Sequence, residues 1–166
     1  MKISKWIIGI LLSLVVFSGL RAEEFIGEVV AVTDGDTIGV MRDGKMVKVR
    51  LYGIDAPEKK QPYGTAAKKA LMGLLGDAPV KVEVVSRDRY GRLVGKVWSG
   101  PTGNVNENML HYGMAWAYRQ YLKGDDLFRY MRIEGDAMTS NIGLWADTNR
   151  VPPWEWRRAK KKRSKT

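Results

Sequence analysis

The chain has 166 residues, 45% apolar and 28% charged, which suits one domain with its own core rather than a disordered chain or a multi-domain assembly. It contains no cysteine, which excludes thiol nucleophiles, thiolate zinc sites and disulfides, and its single histidine, His111, excludes two-histidine ribonuclease chemistry and multi-histidine metal sites. The net charge of +10 is local: a chain starting at Glu23 carries +7 and residues 154–166 alone hold +6, so the body between is near neutral.

The first residues read as an export signal. Lys2 and Lys5 precede the apolar run Ile7–Phe17, and Arg21-Ala22 leads into Glu23-Glu24. The run is shorter than the roughly 20 residues that span a bilayer, so residues 1–22 are expected to be a cleaved signal rather than a stable membrane span. A secreted or periplasmic product follows. From Glu23 the pattern turns to short strands. Phe25–Val32 is apolar, Thr37–Arg42 follows the Asp34-Gly35 turn, and Asp43-Gly44 is a two-residue hairpin signal. In Lys45–Tyr52, Val47, Val49 and Leu51 alternate with Lys48, Arg50 and Tyr52, which puts Arg50 on the polar face just before a loop bearing Asp55 and Glu58.

A helix is expected over Thr65–Leu75, with Ala66, Ala70, Leu71, Leu74 and Leu75 as its apolar stripe and Gly76 at its end. Val80–Val85 and Arg92–Trp98 read as strands around the turn Asp88–Gly91. Val105–Tyr112 and Leu127–Ser140 read as helices, the second carrying Glu134 on its apolar side, where it needs a polar partner if buried. Trp98, Trp116 and Trp145 are expected at the core or its edge, and His111 as an ordinary helix residue. The element order is that of an α+β, mainly β fold: a five-stranded Greek-key barrel of the oligonucleotide-binding (OB-fold) type with about three helices. The folded body spans 23–150, and 151–166 is expected to be a disordered basic tail, folded structure ending at Pro152-Pro153. Such a tail can bind phosphate backbones by counterion release, with an anionic membrane surface as the competing partner. Trp154 and Trp156 either stack on bases or pack back on the body. Nothing points to an oligomer, so a monomer is expected.

Three blocks carry the chemistry: Asp34-Gly35-Asp36-Thr37, then Arg50 with Asp55-Ala56-Pro57-Glu58, then Arg89-Tyr90-Gly91-Arg92. Each alone is an ordinary turn, strand residue or helix start. Together they offer hard oxygen ligands, a spare carboxylate and paired guanidinium forks, the groups that phosphodiester cleavage requires. An all-oxygen site of this kind suits Ca²⁺, Mg²⁺ or Mn²⁺.

With these motifs in order over residues 25–145, the chain closely resembles the staphylococcal nuclease-like (thermonuclease) enzymes. The resemblance implies an OB-fold nuclease that is Ca²⁺-dependent and cuts DNA and RNA, leaving 3′-phosphate ends. It implies metal ligation by the Asp36 and Asp55 carboxylates and the Ala56 carbonyl, phosphate contacts from Arg50 and Arg92, and action of Glu58 on the attacking water. It also implies a terminal-phosphate contact from Arg89 and Tyr90 and a base contact from Tyr118. Two departures stand out: position 56 is alanine where the family often has threonine, and the loop after Glu58 is short, running through Lys59-Lys60-Gln61 straight to Pro62-Tyr63. The alternative from another class is an inert OB-fold module that binds nucleic acid without cutting it. A degenerate copy should have lost Arg50, Glu58 or Arg92 first, and all three are present.

Overall fold

The computed structural model describes residues 23–164, so the expected signal segment lies outside the described residues. The chain opens with β1 (Glu24–Gly27) and β2 (Val29–Val32), which interrupt at Glu28 the single strand expected over 25–32. It continues through β3 (Thr37–Arg42), β4 (Lys45–Leu51), β5 (Ile54–Asp55), α1 (Gly64–Leu75), β6 (Val80–Arg87), β7 (Leu93–Ser99) and β8 (Gly103–Asn104). Then come α2 (Val105–His111), β9 (Trp116–Ala117), α3 (Gly124–Thr139) and α4 (Pro153–Arg163).

The sheet order is β1-β6-β7-β4-β3-β2, with β8 on β7 and a separate β5–β9 pair. The two ends of this path are the two halves of one bent stretch. β1 pairs with β6 and β2 pairs with β3, while Met41 N donates to Glu28 O at 2.9 Å across the bend. Counting that stretch once gives five long strands, with β4 running parallel to β7 and every other long neighbour antiparallel. This is the mainly β OB-type fold expected. Asp43 and Gly44 take φ of 49° and 74°, so the β3–β4 hairpin closes through the two residues expected, with Arg42 opposite Lys45.

The core lies where the sheet meets α1 and α2. Ile38, Val40, Val49, Leu51, Val82, Leu93 and Val97 from the strands pack with Leu71, Leu75, Met109 and Leu110 from the helices. Burying one such side chain contributes about 1.5–3 kcal/mol. One expectation is corrected in detail: α1 turns Ala67 into the core and leaves Ala66 and Ala70 half-buried. Ala67 stands one turn before Leu71 and shares its face with Gly64, Leu74 and Leu75, whereas Ala66 is turned well away from Leu71. Asn106, fully buried, joins α2 to the sheet: its Nδ2 donates to Tyr52 O (2.9 Å) and Gly95 O (3.2 Å), and Val97 N donates to its Oδ1 (2.9 Å).

The larger correction concerns residues after 150. Folded structure does not end at Pro152-Pro153, because Pro153 occupies the first turn of α4, where its missing N–H costs nothing and its fixed φ suits a helix. Glu155 lies in the first turn and Lys160–Arg163 in the last, each on the side the helix dipole favours. Trp154 and Arg157, one turn apart, both contact the body. Among the described residues no helix is long and apolar enough to cross a membrane.

Candidate active site

Sheet register assembles the centre. Thr37 pairs with Arg50 across β3 and β4, which sets the Arg50 side chain beside Asp36, the residue just before β3. The guanidinium bridges two carboxylates, with Nη1 at 2.5 Å from Asp36 Oδ2 and Nη2 at 2.9 Å from Asp55 Oδ1. Ala56 N donates to Asp36 Oδ2 at 2.8 Å, tying the loop after β5 to the loop before β3. Gly35 permits this approach, since a Cβ there would stand 2.7 Å from the Cβ atoms of both Ala56 and Ala67. Arg92, just before β7, reaches the same place because β7 runs parallel to β4: its Nη1 donates to Thr37 Oγ1 at 3.4 Å, while its Nε is held by Asp88 Oδ2 at 2.6 Å.

The β5–β9 pair matches Asp55 with Trp116, and Tyr118 N donates to Gly53 O at 2.8 Å, which sets Tyr118 next to the loop that carries Asp55. Arg89 and Tyr90 occupy the exposed β6–β7 turn. Arg89 Nη2 donates to Tyr90 Oη at 2.8 Å, and Arg92 Cζ lies 5.7 Å from the Tyr90 ring centre. They flank the centre through Arg92 and do not touch its carboxylates. Glu134 is buried and has found its partners, Ala117 N at 2.9 Å and Arg119 Nη2 at 3.1 Å. Trp116 and Trp145 meet edge to face at 5.4 Å in a small cluster behind Tyr118, beside a cavity of about 470 Å³ that none of Asp36, Asp55 and Glu58 lines.

Sequence reasoning placed none of three further contributors in the centre, although it left Trp154 packing on the body as one of two alternatives. Arg157 brings a second guanidinium to the carboxylates, with Nη2 at 2.8 Å from Asp55 Oδ2 and Nη1 at 3.2 Å from Asp55 Oδ1 and 2.8 Å from Glu58 Oε1. Trp154 stacks on Tyr118, centroids 5.5 Å apart and planes within 2°. Gln61 accepts from Glu58 N at 3.1 Å and donates to Val151 O at 2.5 Å, which fixes the short loop to the C-terminal segment. The signal for the first two was present in Pro152-Pro153-Trp154-Glu155-Trp156-Arg157, where a helix start is followed by an aromatic and an arginine one turn apart.

Negative charge is concentrated here. Burial, and after it the Asp36 charge, pushes the Asp34 carboxyl up to about 6. Burial likewise raises the Asp55 carboxyl, against the opposing pull of Arg157 and Arg50. Burial disfavours the charged Arg50 guanidinium, but the Asp36, Asp55 and Asp34 carboxylates outweigh it and hold the proton more firmly than usual. Among the described residues no three or more His, Cys, Asp or Glu converge into a ready-made cage. The donors that meet here are the Asp36 and Asp55 carboxylates, both hard oxygens, and a cation already sits against Asp55 in the form of Arg157. The set therefore fits a hard divalent ion that keeps much of its own water.

Residues 48–147 match the family described as staphylococcal nuclease homologue. The chain is 46% identical over 143 residues to a protein named ParB from Escherichia coli, a match covering 81% of this chain and 80% of that protein. It is 43% identical over 146 residues to a micrococcal nuclease from Shigella flexneri, 83% of each, and 41% identical over 117 residues to the staphylococcal-like nuclease CAN1 from Arabidopsis thaliana, 70% of this chain and 35% of that one. Sheet order, the arginine-bridged carboxylates and these likenesses agree, and the chain belongs to the staphylococcal nuclease family.

Proposed function

We infer that this member of the family is an exported, Ca²⁺-dependent nuclease that hydrolyses DNA and RNA with little regard for the sugar and leaves 3′-phosphate ends. Phosphodiester hydrolysis of nucleic acid is the family's activity. The observation that carries the finer reading is the Arg50 guanidinium bridging Asp36 and Asp55, with Ala56 bound to the same Asp36 carboxylate. Asp36, Asp55 and the Ala56 carbonyl would hold the ion, which supplies positive charge against the attacked phosphate.

The remaining chemistry belongs to side chains. Arg50 donates one N–H to Asp55 and is ion-paired with Asp36, and its remaining donors would serve the phosphate oxygens. Arg92, steadied by Asp88, supplies a second fork from the neighbouring strand. Glu58 takes a proton from the attacking water, whose oxygen forms the new bond to phosphorus while the bond to the 5′ oxygen breaks, that oxygen leaving with the electron pair and taking up a proton from Arg92 or from water. General-base action of this kind contributes about 10²–10⁴-fold. Arg89, Tyr90 and Tyr118 flank the site as contacts for a terminal phosphate and a base. Export rests on the Lys2–Ala22 pattern, and Ca²⁺ is chosen over Mg²⁺ or Mn²⁺ from the family likeness and from its supply outside the cell. The basic face of α4 assists by holding the phosphate backbone, and the enzyme acts as a monomer.

The deciding experiment is cleavage of single-stranded DNA and RNA by the protein from Glu23 onward, in Ca²⁺, in Mg²⁺ and in chelator. Calcium-dependent cleavage giving 3′-phosphate ends is the expected result. Binding without cleavage in every metal would hand the chain to the inert-module reading.

A further inference from the structure

The short loop after Glu58 raises the question of what holds that carboxylate. Both ends of the residue are anchored by the C-terminal segment. Its backbone N–H donates to Gln61, whose amide is pinned to Val151 O, and its carboxylate accepts from Arg157 Nη1 at 2.8 Å. Arg157 in turn is oriented by the Trp154 ring stacked on Tyr118 one turn earlier in α4. The same guanidinium takes both oxygens of Asp55, one of which Arg50 already shares. Three arginine N–H groups thus occupy three of the roughly four lone-pair sites of this carboxylate, so a dication that engages Asp55 through more than one site competes with a guanidinium already seated there.

We propose that Arg157 belongs to the nuclease centre as a positioning residue: it holds Glu58 for its work on water, and it shares Asp55 in competition with the divalent ion. This rests on the metal-dependent reading above. In the ion-free protein the guanidinium is the counter-charge of Asp55. On metal loading it yields Asp55 and keeps Glu58, so one side chain sets both the threshold for the ion and the aim of the carboxylate. The arrangement predicts opposite signs for two quantities that a merely structural residue would move together. Removing Arg157 frees Asp55 for the ion and at the same time unfastens Glu58.

The test is Arg157→Ala and Arg157→Lys in the chain from Glu23, with Ca²⁺ affinity measured by calorimetry without nucleic acid and kcat and KM measured at saturating Ca²⁺. Arg157→Ala should bind Ca²⁺ about tenfold more tightly, a coupling of ordinary size, and turn over about 10–100-fold more slowly with KM much less changed, the penalty of a misplaced catalytic group. Arg157→Lys, which keeps the charge without the fork, should fall between parent and Ala on both scales and guards against a fold defect in the alanine protein. A Ca²⁺ affinity that is unchanged or weaker in both variants, or a kcat within twofold of the parent, overturns the assignment. A parent that binds none of Ca²⁺, Mg²⁺ and Mn²⁺ sinks the metal reading and this assignment with it, whereas a parent that binds and variants that match it sink the assignment alone.

Discussion

Two arginines hold Asp55, and they are built in opposite ways. Arg50 is five residues away and is set by a strand ladder, its side chain only 13% exposed between two buried carboxylates. Arg157 is 102 residues away, sits on a helix docked at its first turn through Pro153 and Trp154, and is 41% exposed. The first is part of the sheet's own construction. The second is an added contact whose strength depends on how firmly α4 stays in place. A charge pair fixed by main-chain register is costly to disturb, while one delivered by a docked element is adjustable.

The largest effect that separates the two halves is kinetic. Glu58→Gln and Arg92→Lys should each lower kcat by about 10²–10⁴-fold in proteins with unchanged melting curves. Unchanged rates in both would remove the site assignment. Next comes stability, measured by urea unfolding in chelator. Arg50→Ala takes the counter-charge from buried Asp36 and one of two from buried Asp55 and should cost about 3–5 kcal/mol, whereas Arg157→Ala, half in water, should cost under about 1 kcal/mol. Equal losses would erase the distinction between built-in and docked arginines.

The pH dependence sharpens the same contrast on the sheet side. Asp34 carries a folded-state value near 6 against 3.8 unfolded, so the folded form binds the proton more tightly. The stability this gives is complete below about pH 4 and is lost as pH rises through 6. In chelator, Asp34→Asn should flatten that decline and add on the order of 1 kcal/mol at pH 7, since the group is partly exposed. A parent protein that gains stability between pH 4 and 6 while the variant does not would contradict the sign. On the docked side, Trp154→Ala should cost about 0.5–1.5 kcal/mol by removing the Tyr118 stack. Smallest of all, neutralising Lys160 and Lys161 should flatten the salt dependence of nucleic-acid binding by somewhat less than one unit of slope per charge, leaving kcat alone.

What could be read from the sequence was what local pattern dictates. Alternation in Lys45–Leu51 placed Val49 and Leu51 inward and Arg50 on the site face, and Asp43-Gly44 set the hairpin that brings Thr37 opposite Arg50. The break at Glu28 was hidden because both halves of the bent strand are equally apolar, and only their different partners, β6 and β3, divide them. The tail was misread because a count of charges is blind to periodicity. Seven basic residues looked like solvated coil, although Pro153 at a helix start and the Trp154–Arg157 spacing described an element with one face to dock. Asn106 was legible only as a polar residue in a helix, since its value lies in three main-chain partners, two on β7 and one at Tyr52 just past β4.

The contact between Asp55 and Arg157 also has a consequence in time. Translation delivers the chain from its N-terminus, so Asp36, Arg50, Asp55 and Glu58 all leave the ribosome long before the residue that fastens two of them. A chain made only as far as Arg150 can already hold the sheet and its arginine-bridged carboxylates, but Glu58 in it has no side-chain anchor. Delivery of α4, rather than formation of the sheet, fastens Glu58 and the second side of Asp55.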